Sequence, residues 1–371
     1  MILAVIDKEF HKLLSFPAYS YATYTEKYNA LGPYQVQVPL DSYALRTIQE
    51  GYYILLDKDV CGVIQSVKPI IDDTTEEKKL VIEGYLAEEL LTRRCIPKST
   101  SFTGTVPAFV NKLMTENCVS PQDSSRSLPI VLDSNVPTDS GSQERQVTGG
   151  DMECRIAELL DTRNMGHKVT PILTSTSISG FKFTQVRGAD RSIKNTDDNK
   201  PVVFATSLKN ILSGTYKRNS QDLKNTAYVA GEGEGTSRTV KTVHPENTGV
   251  DRYELYVDAR DLQSTDEHGN TLTATQYEAA LNDRGLAKLS EYVVSETYEA
   301  TINTDDDKFV YKKDYSVGDI ITLKDELIGI ELDVRITAVQ TTSTDGETKI
   351  NLTLGQMKMR TNEKLKRKGV I

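Results

Sequence analysis

The sequence predicts an α+β, mostly β chain with strand-rich ends around a mixed middle. Three observations carry this. Short apolar or alternating runs, bounded by turn residues, fill the first hundred residues and the last seventy. Helical periodicity is confined to a few stretches between residues 86 and 293. Hydrophobic residues make up 38%, a share that suits small, strand-rich or partner-covered domains.

At the start, Ile2 to Ile6 reads as a short apolar strand, and Tyr19 to Tyr24 alternates aromatic with small polar residues. Asn29-Ala-Leu-Gly32 signals a turn. Tyr34 to Val38 then has period 2, and Pro39 marks a strand end or edge. Tyr53 to Leu56, Gly62 to Val67 and Lys79 to Ile82 continue the pattern, with turns at Asp57-Lys-Asp59 and across the acidic stretch Asp72 to Glu77. Five or more strands at this spacing suggest a barrel or a sandwich. Leu86 to Arg94 reads as a short closing helix.

Thr105-Val-Pro107 predicts a helix start, with Phe109, Val110, Leu113 and Met114 on one face. Pro121 to Gly150, rich in Ser, Asp, Pro and Gly, predicts loop or loosely held strand. Asp151 is placed to cap a second helix striped by Ile156, Leu159 and Leu160, with Gly166 as its terminating glycine. Strands are expected over Val169–Ile178, Phe181–Val186, Ala227–Ala230 and Arg238–Val243, and one or two helical turns over Ser207–Leu212. Thr273 to Val293 is the strongest helix, with Tyr277, Ala280, Leu281 and Leu289 near one face and Arg284 and Lys288 facing out. Gly285 inside it costs roughly 1 kcal/mol against Ala, and a bend or break is expected there. The last strands are expected at Glu299–Asn303, Asp319–Leu323, Ile328–Val339 and Lys349–Leu354, with turns at Asp314–Gly318 and Thr344-Asp-Gly346. The resulting divisions are 1–95, a helix-containing insertion 96–166, a mixed region 167–298, and 299–371 with a basic tail at Lys364–Lys368.

The formal net charge is −9, which argues against a dedicated nucleic-acid binder but not against a wall past which DNA slides. Trp is absent and Tyr numbers 18, a residue that tolerates half-wet positions. Cys61, Cys95, Cys118 and Cys154 are widely spaced, with no C-x-x-C pair, and read as reduced thiols. Met1 to Lys8 lacks a signal-peptide pattern, and no run approaches 18 apolar residues.

No constellation points to catalysis. Gly231-Glu-Gly-Glu-Gly235 has the wrong spacing for a dinucleotide site, and its two Glu side chains would repel phosphate, so a tight loop is expected. His11, His167, His244 and His268 stand apart from one another and from cysteines, so solvated or capping roles are expected. The carboxylates Asp258 and Asp261, and Asp305-Asp-Asp307, read as solvated turns; Asp305-Asp-Asp-Lys308 lacks the spacing of a calcium loop. No catalytic, cofactor-binding or metal-ligating residue is assigned, and no cofactor.

Tyr28-Asn-Ala-Leu-Gly-Pro-Tyr-Gln-Val-Gln-Val-Pro39 resembles the opening of siphophage tail hub proteins, the Tal-type N-terminal modules of tail-associated lysins, which are similar to contractile-phage baseplate hubs. The likeness continues through Gly51-Tyr-Tyr-Ile-Leu55, Gly62-Val-Ile64, Leu80-Val-Ile-Glu-Gly84 and Leu90-Leu-Thr-Arg-Arg94. It returns at Tyr256-Val-Asp-Ala-Arg-Asp-Leu262, Tyr311 to Ile321 and Asp333-Val-Arg-Ile-Thr337, while 120–150 and 187–225 carry little of it.

The resemblance implies a phage baseplate-hub-like fold, with a barrel-like tube domain near each chain end and mixed α/β domains between. It also implies a homotrimer whose six parts match a hexameric tail tube. Implied partners are the distal tail protein ring, the C-terminus of the tape-measure protein, and tail fibre or receptor-binding proteins, with genomic DNA only in passage through the lumen and no stable membrane insertion. The implied place is the virion tail tip of a siphovirus, after synthesis in the host cytoplasm, with roles in host attachment and DNA ejection. The chain ends soon after the second strand-rich region, so lytic activity is expected of a partner and this protein is expected not to be an enzyme. Two other classes stay open: a cell-wall hydrolase of the tail tip, and a carbohydrate-binding tip protein using exposed Tyr.

Overall fold

A computed structural model describes residues 1–72, 77–147, 149–260, 262, 264, 272–303, 308–344 and 346–355. Asp261, His268, Asp305–Asp307, Asp345 and the basic run Lys364–Lys368 lie outside them, as does most of the turn between Asp72 and Glu77. Packing divides the chain into two compact units. One is built from Met1–Thr215 together with the chain from Tyr298 onward, the other from Tyr216–Thr297.

The larger unit begins with β1 (Leu3–Ile6), β2 (Lys12–Phe16), β3 (Tyr21–Lys27), β4 (Pro33–Pro39), the short helix α1 (Ser42–Thr47), β5 (Tyr53–Asp57), β6 (Val60–Asp72) and β7 (Glu77–Leu86). Alternation decides which side of each strand is buried. In β4, Tyr34, Val36 and Val38 are buried, while Gln35 and Gln37 are half-exposed. With Ala22, Tyr24, Ile54, Ile64, Leu80 and Ile82 they form one apolar core. β2 has no such pattern; it is held by antiparallel pairing to β1, with an irregularity at Val5/Ile6.

Next come α2 (Glu89–Thr92), β8 (Thr100–Gly104), α3 (Val106–Met114), β9 (Ile130–Leu132), β10 (Gln143–Val147), α4 (Met152–Asp161), β11 (Gly166–Leu173) and β12 (Ile178–Val186). The helix predicted over Leu86–Arg94 is only the single turn of α2, because Leu86 still belongs to β7. Thr105 caps α3, with Pro107 in its first turn and Phe109, Val110, Leu113 and Met114 fully buried. Asp151 caps α4 by accepting the Cys154 N–H at 2.9 Å. Ile156 and Leu160 join Phe109 and Phe181 in a second core.

Two expectations fail here. Gly166 does not end α4. Asn164 takes the left-handed conformation (φ 53°), and the Met165 N–H returns to the Leu160 carbonyl at 3.0 Å. The strand expected over Val169–Ile178 is also cut in two. Thr174 accepts the Ser177 N–H through its Oγ1 at 2.9 Å, which makes a turn between β11 and β12.

β13 (Asp190–Arg191), β14 (Val203–Ala205) and β15 (Ile211–Asn219) follow. The helical turns expected over Ser207–Leu212 reduce to one turn, closed by the Leu208 and Lys209 N–H groups, after which Ile211 starts a strand.

The smaller unit holds β16 (Thr226–Ala230), β17 (Val240–Val243), β18 (Glu254–Asp258) and the helix α5 (Ala274–Glu291). β16 lies between the other two, antiparallel to β17 and parallel to β18. Tyr277, Leu281 and Leu289 bury one face of α5 with Ala227, Val229, Val243 and Val257. The helix runs unbroken through Gly285, against expectation. A Cβ there would lie 2.6 Å from Val243 Cγ2 and 2.7 Å from Val229 Cγ2, so the glycine permits close approach of helix to sheet.

β19 (Ser295–Ile302), β20 (Ile320–Asp325), β21 (Ile330–Thr344) and β22 (Glu347–Leu354) complete the strands. The two ends of the chain share one sheet, because β21 pairs antiparallel with β3 from Ala338↔Lys27 to Thr344↔Tyr21. The main path runs β15-β19-β22-β21-β3-β4-β7-β6-β5-β1-β2, and off this path β20 pairs antiparallel with β21 and parallel with β13 and β14. The fold is mostly β, as expected, but no closed barrel occurs among the described residues. The path ends at β15 on one side and β2 on the other.

Gly285→Val should cost about 2 kcal/mol or more, because the added methyls overpack the α5–sheet contact. Urea unfolding would read this as a lower midpoint at unchanged slope.

Candidate functional site

Tyr28 follows directly on β3 and turns its ring inward. Its hydroxyl lies 2.8 Å from the Asn164 carbonyl and 3.1 Å from the Val186 carbonyl, and accepts the Gly188 N–H at 3.4 Å. Its N–H donates to the Thr337 carbonyl at 2.9 Å, and its carbonyl accepts the His167 N–H at 3.1 Å. The Arg335 guanidinium stands 5.0 Å from the ring centroid and donates to the Gly318 carbonyl. One residue thus joins β3, the end of α4, β11, β12 and β21. Gly318, at φ 95°, leaves room that a Cβ would take from the Tyr28 ring. Beside it, Asp319 accepts the Ala189 N–H (2.8 Å), the Ser316 N–H (3.0 Å) and Arg191 Nε–H (2.9 Å).

A cavity of about 420 Å³ opens next to this junction, walled by residues from β3, β6, β11, the end of β12 and the segment Tyr311–Asp319. Glu26 accepts the Tyr311 hydroxyl at 2.9 Å and Lys312 Nζ at 3.2 Å. Lys312 also holds both oxygens of Asp59, at 2.7 and 2.8 Å. Burial raises the pKa of Glu26 above the usual carboxylate value, and Lys312 opposes that rise. Glu88 is 8% exposed, and its Oε1 accepts the Val169 N–H at 2.9 Å. Burial pushes its pKa up to about 7. His167 is buried rather than solvated, and desolvation alone pushes its pKa down to about 4. The Cys61 thiol is buried and pushed far up, so it is no nucleophile near neutral pH. Among the described residues, no group of three or more His, Cys, Asp or Glu could hold a metal ion.

Around Tyr28 and Asp319 the polar groups bind one another and hold distant segments together. The sequence pattern of the siphovirus ReqiPepy6 Gp37-like proteins matches residues 2–356. The chain belongs to that family. The resemblance to siphophage proteins read from the sequence is borne out at the level of the family.

Solved structures agree on the fold. The 43 kDa tail protein of prophage MuSo2 from Shewanella oneidensis is similar at a TM-score of 0.56 and 11% identity, over 96% of this chain and 98% of that one. A tail protein from Neisseria meningitidis MC58 is similar at 0.55 and 14%, over 96% of each. The prophage tail protein gp18 of Listeria monocytogenes EGD-e is similar at 0.50 and 14%, over 100% of this chain and 99% of that one. No curated protein matches the sequence.

Among the described residues of the Gp37-like chain, the others that the sequence marks make local contacts. Gly231 ends β16 where a Cβ would meet the Tyr277 hydroxyl, and that hydroxyl accepts the Glu232 N–H at 2.7 Å. Arg238 fills the loop by donating to the Ala230 and Gly231 carbonyls, each at 2.9 Å. Asp258 is bound by Arg260 and Arg238, which hold its pKa down to about 2. His11 pairs with Asp7, and His244 with Glu246. All four cysteines are free thiols. Nothing local in the sequence marks Tyr28, Glu26, Glu88 or Asp319 as site residues. Their signal is long-range contact, which leaves no local spacing to read.

Tyr28→Phe should lower stability by about 1–3 kcal/mol, because the Asn164 and Val186 carbonyls lose their partner; chemical denaturation checks this. Glu88 adds a pH dependence. Its folded pKa lies above the unfolded value, so its contribution is complete below about pH 4.5 and is lost as pH rises through about 7. Glu88→Gln should remove a loss of up to about 3 kcal/mol over that window. Denaturation of both proteins at pH 5 and pH 8 measures the difference.

Proposed function

We propose that this Gp37-like chain is a tail protein and a hub of the tail tip, assembled as a ring that joins the tail tube to the tip structures. The observation that carries the reading is the open sheet, whose path ends in β2 on one side and β15 on the other. A free strand edge is a template for pairing with another chain. β15 is exposed along most of its length, and Leu212 is 62% exposed. Pairing of β2 on one copy with β15 on the next is head-to-tail. Such contacts generate a ring when the rotation closes.

Three copies, each offering strands from both chain ends, would make six parts around an axis and match a hexameric tube. The partners in this reading are the distal tail ring, the tape-measure C-terminus, and fibre or receptor-binding proteins. The net charge of −9 suits a channel through which DNA passes without sticking. The role is mechanical rather than enzymatic, with attachment and ejection served through the partners. Native mass spectrometry should give three copies, and immunogold should mark the tail tip of particles. Particles with intact tails that lack this polypeptide would overturn the reading.

A second reading draws on Tyr256, which is 62% exposed on β18, with its hydroxyl held by Arg238 at 2.9 Å. Such a ring could stack on sugar. Tyr256→Ala should then abolish glycan-array binding, and a wild-type protein that binds no glycan removes this reading.

A further inference from the structure

Three buried acceptor atoms near Tyr28 lack a hydrogen-bond partner: Glu88 Oε2, Glu153 Oε1 and His167 Nε2. They belong to α4, β11 and the turn that starts α2. The tautomer of His167 follows from its neighbour. Asn29 Nδ2 donates to the Ala157 carbonyl at 2.8 Å, so Asn29 turns its Oδ1 toward His167 Nδ1, at 3.3 Å. Oδ1 can only accept, so Nδ1 carries the proton and Nε2 carries a lone pair. That lone pair faces Glu153 Oε1, also an acceptor, at 3.9 Å. Two buried acceptors thus oppose each other, with no proton between them. Leaving buried polar atoms in that state is destabilising.

We infer that this cluster is a proton-binding joint. Glu153 takes up a proton from solvent and donates it in a hydrogen bond to His167 Nε2, which ties α4 to β11 and so to the Tyr28 junction. Uptake breaks no bond and needs no co-reactant: the carboxylate becomes a carboxylic acid and the imidazole stays neutral. The direction agrees with the surroundings. Burial raises the proton affinity of Glu153, and Asp151 at the start of α4 raises it further. Desolvation keeps His167 from becoming an imidazolium. Glu88, whose Oε1 is held by the Val169 N–H on the same strand as His167, favours its own neutral form because it is buried, with repulsion from Glu26 and Glu153 adding to this. Cys61 stands beside Glu88 as a neutral thiol. The Phe183 ring, stacked 5.9 Å from His167, adds an apolar wall. The joint is therefore closed in mild acid and under strain in mild alkali.

The test uses the full chain. Thermal unfolding of wild type should show a midpoint that falls by several degrees from pH 5.5 to pH 8.5. Glu153→Gln supplies a permanent N–H toward His167, so its midpoint should vary less with pH and lie above wild type at pH 8.5. A Glu153→Gln protein no more stable than wild type at pH 8.5 overturns the inference. Nitrogen NMR of His167 in wild type decides independently, even if that variant does not fold. The ring should stay neutral with its proton on Nδ1 down to pH 5. Titration to imidazolium near pH 6.5, or a proton on Nε2, would overturn the joint.

Discussion

The larger unit depends on Tyr28 being able to bury its ring where distant parts of the chain cross. The ring needs room that Gly318 and Gly166 leave by lacking a side chain. Its hydroxyl needs the carbonyls of Asn164 and Val186, and its backbone is pinned by Thr337 and His167. Each of these partners comes from a different element, so the residue sets how the helical insertion and the C-terminal strands meet β3. A buried phenol with an unpaired hydroxyl would be costly. Satisfying it fixes one arrangement of the segments and disfavours others.

Much of the local structure was legible because local rules governed it. The caps Thr105 and Asp151, the buried face of α3 and the alternation in β4 follow from side-chain chemistry within a few residues. At two glycines where expectation failed, a distant contact had overridden the local signal. Gly285 reads as a helix breaker until Val229 and Val243 are seen against it. Gly166 reads as a helix stop until Tyr28 takes the space beside it. β2 has no pattern of its own and exists through its pairing with β1.

The candidate site was less legible than the fold. His167 reads as an isolated, solvated histidine because nothing nearby in sequence could ligate or orient it. Its surroundings, Asn29, Glu153 and Phe183, come from three separate segments. Glu88 likewise looks like one more surface acid beside Glu89. Burial under the cavity wall gives it a different character, and only the three-dimensional arrangement contains that information.

The pairing of β21 with β3 has a consequence for how the protein is made. Thr23 and Thr342, hydrogen-bonded at 3.0 Å, are 319 residues apart in sequence. The N-terminal strands can pair among themselves as they leave the ribosome, but one side of β3 stays bare until most of the chain has been synthesised. The smaller unit draws its contacts from a single stretch and can fold in the interval. A nascent chain therefore carries an exposed strand edge for the long middle of its synthesis. That edge is a standing hazard for mispairing between neighbouring ribosomes on one message.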